Sequence, residues 1–147
     1  MPIATRSAKT TWTDSLAAGR GVIDGESHGI EGVEVTWASR VEDPQGRTSP
    51  EELCAAAHSS CFAMALGMKL GEAKLVPQSL EIKATVTLDE VDGVPTIVSS
   101  KIAAKAHVEG ADAAGFAAVV EEAAQLCPVS RLFAGAEVTV EAELVED

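Results

Sequence analysis

The stretch TSPEELCAAAHSSCFAMAL, residues 48–66, decides the fold. Ser49 stands where a helix N-cap belongs, Pro50 suits the first helical position, and Glu52 completes a capping box with Ser49. A helix is therefore predicted from Pro50 to about Gly71. Between Leu53 and Leu70 it is apolar or small on nearly every face, including Ala55, Ala56, Ala57, Phe62, Ala63, Met64, Ala65 and Leu66. A helix of that kind belongs inside a fold or between subunits.

Upstream, from Lys9 to Val41, the runs TTWTD, RGVIDGE and GVEVTWASRV are separated by the Gly-rich turns AAGRG and SHGIEG. They predict a small antiparallel sheet of three strands, with Arg40 ending the third. Downstream of Pro77, alternation in LEIKATVTLDEV points Leu80, Ile82, Ala84, Val86 and Leu88 one way. Asp92-Gly93 is a hairpin turn signal, and the return strand TIVSSKIAAKAHVEG is long enough for a bulge near Ser99-Ser100. A second helix follows from about Asp112, with Phe116, Val119, Val120, Ala123, Ala124 and Cys127 on one apolar stripe. Pro128 ends or kinks it, so Cys127 faces inward at a break where a new helical N-terminus begins. The C-terminal AEVTVEAELVE alternates and predicts a closing strand.

Composition bounds the class. At 147 residues and 46% hydrophobic, with positive mean hydropathy, the chain is expected to fold as a single domain, residues 1–147, with its own core. A formal charge of -12 with 11 scattered Lys and Arg residues argues against nucleic acid and anionic lipid as partners. The start, MPIATRSAKTTWTD, lacks the apolar core of a secretory signal. No stretch reaches the ~18 uninterrupted apolar residues of a membrane helix. A cytoplasmic address is expected, with no membrane association.

Three cysteines, Cys54, Cys61 and Cys127, are an odd number and cannot form a closed disulfide framework. At least one is free and a pair can cycle, which favours redox chemistry over stapling. Any single cysteine is more often packing than chemistry. A thiolate at Cys127 would gain from the dipole of the new helix. Cys54 lies seven residues before Cys61, roughly 10 Å along a helix, so these two cannot bridge within it.

Taken together, Pro50-Glu51-Glu52-Leu53, the small-residue run Ala55 to His58, Cys61-Phe62 and Cys127-Pro128-Val129-Ser130 resemble, in order, the osmotically inducible and organic-hydroperoxide-resistance proteins, the OsmC/Ohr family of thiol peroxidases. GEAK after the first helix and the hairpin at Asp92-Gly93 are similar to the OsmC branch. The resemblance covers nearly the whole chain. It implies an α+β fold with two antiparallel sheets around two central helices, assembled as an intertwined homodimer. It implies a stress-response peroxidase in which Cys61 attacks an organic hydroperoxide and Cys127 resolves the sulfenic acid as a disulfide. A dithiol, for instance a lipoylated protein, then reduces that bond, and no bound cofactor is needed. Cys54 matches no catalytic position and reads as packing.

The resemblance also implies an activating arginine from the N-terminal sheet and a carboxylate at Glu51. Arg40 is the expected arginine; Arg20 in the AAGRG turn and Arg47 beside the motif compete with it. Glu52 has a capping role, which leaves Glu51 for function. Glu51 and Cys61 are ten residues apart on one helix, roughly 15 Å at the standard rise. They cannot meet in one subunit, so composite active sites between two chains are expected.

His58 sits in a Cys-x3-His-x2-Cys spacing that invites a zinc reading, but a structural site wants four ligands and no fourth lies nearby in sequence. It reads as a satisfied buried or interfacial histidine, and His28 and His107 carry no motif. Phe62, Met64 and Phe133 are candidate lining of an apolar interfacial pocket. The rival to the enzyme is a non-catalytic dimeric module that binds an apolar ligand in that cavity.

Overall fold

A computed structural model describes residues 1–135. The element order is β1 (Ala8–Thr13), β2 (Arg20–Gly25), β3 (Val33–Val35), α1 (Trp37–Val41), α2 (Pro50–Glu72), β4 (Pro77–Val91), β5 (Val94–Val108), α3 (Ala113–Leu126) and α4 (Pro128–Gly135). The predicted C-terminal strand AEVTVEAELVE lies outside the described residues. The chain divides into two compact units, one formed by Met1–Ala56 with Thr85–Ser100, the other by Ala57–Ala84 with Lys101 onward.

In the first unit β1, β2 and β3 form an antiparallel meander. Trp12 pairs with Gly21, and Gly21 with Val35. Gly21 must be small: a Cβ there would lie 2.9 Å from both the Trp12 ring and the Val35 side chain. The missing side chain lets the two larger ones close over the strand.

The third strand is shorter than its sequence predicts, and Arg40 does not end it. β3 stops at Val35, and Thr36 caps α1 instead. The Ser39 N–H donates to Thr36 Oγ1 at 2.9 Å, and the Thr36 N–H donates to Ser39 Oγ at 2.9 Å. This reciprocal capping box satisfies two donors that would otherwise be orphaned. It outweighs the β-leaning Val-Thr-Trp run. The chain then turns through Gln45 and Gly46, both at positive φ, and returns to bridge Val35 with Thr48.

Helix α2 begins as its sequence predicts, with Ser49 Oγ accepting from the Glu52 N–H at 3.1 Å. The other half of the box differs: the Glu52 carboxylate accepts from the Thr48 hydroxyl at 2.6 Å. At 23 residues, α2 is long and apolar enough by length and composition to cross a bilayer. Its role here is that of a core helix. In the second unit Phe62, Ala65, Leu66 and Leu70 are buried with Ala123 and Cys127, and Leu80, Ile82, Ile102, Phe116 and Val120 pack around them.

The hairpin β4–β5 turns at Asp92 (φ 51) and Gly93 (φ 80), the pair of left-handed residues that a tight right-twisted hairpin needs. Leu80, Ile82, Ala84, Val86 and Leu88 are half-buried in β4, as is Pro77 at its start, and the residues between them are exposed. In β5 the alternation slips by one residue at Ser99-Ser100, the position predicted for a bulge. Asp112 caps α3 by accepting from the Gly115 N–H at 2.6 Å.

Leu66 is fully buried in the core cluster. Leu66→Ala is expected to cost about 2–5 kcal/mol, read as a lower midpoint in chemical denaturation.

Candidate active site

Pro128 has no N–H and cannot continue α3. Cys127 therefore ends α3, its own N–H reaching back to the Ala123 carbonyl at 2.9 Å, and starts α4, its carbonyl accepting from the Arg131 N–H at 3.1 Å. In that N-cap position its side chain faces the open amides of the first turn. The Val129 and Ser130 N–H groups and the Ser130 hydroxyl are placed to donate to a thiolate at Cys127. A thiol thus does what a Ser or Asp oxygen does at an ordinary helix start.

Cys61, on the fourth turn of α2, is half-buried, Cys127 is fully buried, and both are free. The two thiols pack together in the core cluster, and each influences the other's ionisation. Their acidities diverge. Burial, the largest influence, pushes the Cys61 thiol up, and the single Val129 amide does not offset it. Burial also pushes Cys127 up, but the Ser130 amide and hydroxyl, the Cys61 thiol and the Val129 amide together hold it below the ordinary thiol range. Within one chain, Cys127 is the more acidic of the pair.

His58 lies one turn before Cys61 and is buried. Its Nε2 is 2.7 Å from Ser130 Oγ, and its ring meets Phe133 at a centroid distance of 5.7 Å, tilted by 54°. Burial lowers its pKa, so the ring is neutral at pH 7. A continuous contact chain therefore runs His58, Ser130, Cys127, Cys61. The sequence reading anticipated a satisfied histidine but not this partner. The available signal was Ser130 itself, a hydroxyl three residues past Cys127 in the first turn after Pro128. Phe62 is in the core, and Met64 is 76% exposed.

In the other unit, Arg40 from α1 and Glu51 from the first turn of α2 form a forked pair. Arg40 Nε donates to both Glu51 oxygens at 2.9 and 3.1 Å, and Nη2 donates to Oε1 at 2.7 Å. Such bidentate contacts are short and directional. The pair is largely shielded from water. Arg20 and Arg47 instead approach Glu34, at 3.0 and 3.5 Å. Arg40 also lines an apolar pocket of about 400 Å³ with Trp12, Ile23, Val35, Trp37 and Leu53.

Fold and site together define an α+β protein whose two free thiols meet at the start of a helix. The chain belongs to the OsmC-like protein family, whose model matches residues 42–143. It is 34% identical over 139 residues to peroxiredoxin OsmC of Escherichia coli K12, covering 95% of this chain and 96% of that protein. Among solved structures it superposes on the organic hydroperoxide resistance protein OsmC of Legionella pneumophila with a TM-score of 0.71 and 21% identity, covering 92% and 93% of the two chains. The organic hydroperoxide resistance protein OhrB of Bacillus subtilis gives 0.60 and 27%, covering 88% and 91%.

The depressed His58 pKa sets a pH dependence. Below about 6.5 the unfolded histidine binds a proton that the folded one resists, so stability falls as pH drops through that value. His58→Gln is expected to flatten this part of the dependence, measured as denaturant midpoints at pH 7.5 and 5.5.

Proposed function

We propose that the chain is a thiol-dependent peroxidase that reduces organic hydroperoxides to alcohols. The observation that carries this reading is the packing of Cys61 against the cluster that buries Cys127, where each thiol influences the other's ionisation. The names of the related proteins support the substrate class. The Cys61 thiolate attacks the terminal oxygen of the hydroperoxide. The O–O bond breaks, the alkoxide leaves as alcohol after gaining a proton, and Cys61 becomes a sulfenic acid. Cys127 attacks that sulfur, water is lost, and a disulfide joins the two. An external dithiol, for which a lipoylated protein is a candidate, then exchanges with it.

Activation of Cys61 is assigned to Arg40 and Glu51 of a second copy. Ten residues of helix separate Glu51 from Cys61, roughly 15 Å of rise, so the composite arrangement calls for a homodimer with two equivalent sites. The acidity of Cys61 within one chain supports this, because burial alone leaves it a poor nucleophile and a guanidinium beside it would favour the thiolate. Glu51 fixes the guanidinium plane. Such a protein would work in a reducing compartment such as the cytoplasm, as a single OsmC-like domain per subunit.

A second reading keeps the fold and drops the chemistry. The apolar pocket beside Arg40 would suit a dimeric module that binds an apolar ligand.

One equivalent of cumene hydroperoxide followed by peptide mapping separates the two. The expected product is a Cys61–Cys127 disulfide, formed far faster than a free thiol is oxidised; thiols left unreacted would favour the binding module. Cys61→Ser is expected to abolish turnover, and Cys127→Ser to permit one oxidation and stall at the sulfenic acid. Arg40→Ala is expected to slow Cys61 oxidation by roughly 10²-fold, as loss of a preorganised charge contact does. An unchanged rate would move the activating role to Arg20 or Arg47.

A further inference from the structure

Disulfide closure needs Cys127 as a thiolate at the moment it attacks, yet its sulfur is fully buried and cannot lose its proton directly to bulk water. The Ser130 hydroxyl is the side-chain hydroxyl that favours its ionisation. That oxygen is in turn 2.7 Å from His58 Nε2, on a different helix and 72 positions away in sequence. We propose that Ser130 and His58 form a proton relay for Cys127, Ser130 touching the reacting sulfur and His58 acting through it as a positioning residue and proton store. The relay rests on the peroxidase reading and concerns its second step.

The Cys127 S–H proton passes to Ser130 Oγ as the Ser130 proton passes to His58 Nε2, leaving a thiolate, an intact hydroxyl and an imidazolium. The thiolate electron pair forms the S–S bond with Cys61, while the S–O bond of the sulfenic acid breaks and its electrons leave with hydroxide. The proton held on the imidazolium is returned to that hydroxide, which departs as water and leaves His58 neutral again. Cys127 sulfur is oxidised and Cys61 sulfur is reduced from the sulfenic state.

The surroundings suit this role. Phe133 covers the ring and Ser130 faces its Nε2. Among the described residues, the titratable and charged groups on the elements packed here include Cys61 on its own helix, Cys127 at the α3–α4 junction, and Arg131 on α4, which is exposed. A neutral ring keeps a lone pair available to accept, and burial favours the neutral ring. The Val129 and Ser130 amides then hold the negative sulfur once the proton has gone.

The experiment compares Ser130→Ala and His58→Gln with the wild-type full chain; Gln can hydrogen-bond to Ser130 but cannot store a proton at neutral pH. After a pulse of cumene hydroperoxide, quenched samples are scored by mass spectrometry for Cys61 sulfenic acid, trapped with dimedone, and for the disulfide. The expected result is closure slowed about tenfold or more relative to Cys61 oxidation in both variants. A second arm needs no peroxide. In a Cys61→Ser background, the pH midpoint of Cys127 alkylation by iodoacetamide is expected to rise on Ser130→Ala. Closure at wild-type speed in His58→Gln, or an unshifted midpoint in Ser130→Ala, overturns the relay. Absence of the disulfide in the wild-type chain is a separate failure, that of the peroxidase reading, and takes the role in closure down with it.

Discussion

The arrangement of the thiol site depends on one backbone interruption. Pro128 removes an amide at the point where α3 would otherwise continue, and the chain resolves the break by starting a new helix on Cys127. Every feature of the site follows from that choice. The sulfur occupies the place of an N-cap oxygen, so two amides and a hydroxyl converge on it. Burial of Cys127 with Leu66, Leu70 and Ala123 fixes the break against α2, and α2 brings Cys61 and His58 to the same spot. A continuous α3 would bury Cys127 equally well but would leave its sulfur without donors.

The two cysteines are consequently unequal in a way their sequence contexts do not advertise. Desolvation opposes ionisation at both sulfurs. At Cys127 the opposition is overcome by the Ser130 amide and hydroxyl, the Cys61 thiol and the Val129 amide, all within the same unit. At Cys61 one amide is insufficient. The difference gives the proposed peroxidase a division of labour. In that proposal the resolving thiol carries its own activation, whereas the attacking thiol would borrow a cation, and turnover would depend on assembly. The forked Arg40–Glu51 pair has the geometry to lend it: the Glu51 carboxylate accepts from Nε and Nη2 and so orients the guanidinium.

What could be read in the sequence was whatever rests on neighbours in the chain. The Ser49 cap, the alternation of Leu80 to Leu88, the left-handed turn at Asp92-Gly93 and the Asp112 cap are local patterns, and each stands where its residues place it. Thr36 and Trp37 misled because β-branched and aromatic residues fit a strand, while the capping partner Ser39 lay inside what read as the same run. The site divides along the same line. Cys127 at a helix break follows from Cys-Pro, and the Ser130 hydroxyl three residues on follows from helix geometry. The meeting of His58 with Ser130 does not, since nothing in either segment's pattern names a partner 72 positions away.

Helix α2 carries an unmet packing demand of its own. It is apolar on nearly every face, yet only one stripe of it, Phe62, Ala65, Leu66 and Leu70, is covered in the core. Met64 and Met68 stand exposed at 76% and 53%. Residual apolar surface on a central helix is what a partner's burial would remove from water, at about 25 cal/mol per Å². Methionine suits such a contact because its unbranched, polarisable side chain adapts to the surface it meets. The hydrophobic demand of α2 and the electrostatic demand of Cys61 therefore have one common solution in the proposed homodimer: a second copy that covers the helix while its Arg40 supplies the missing charge.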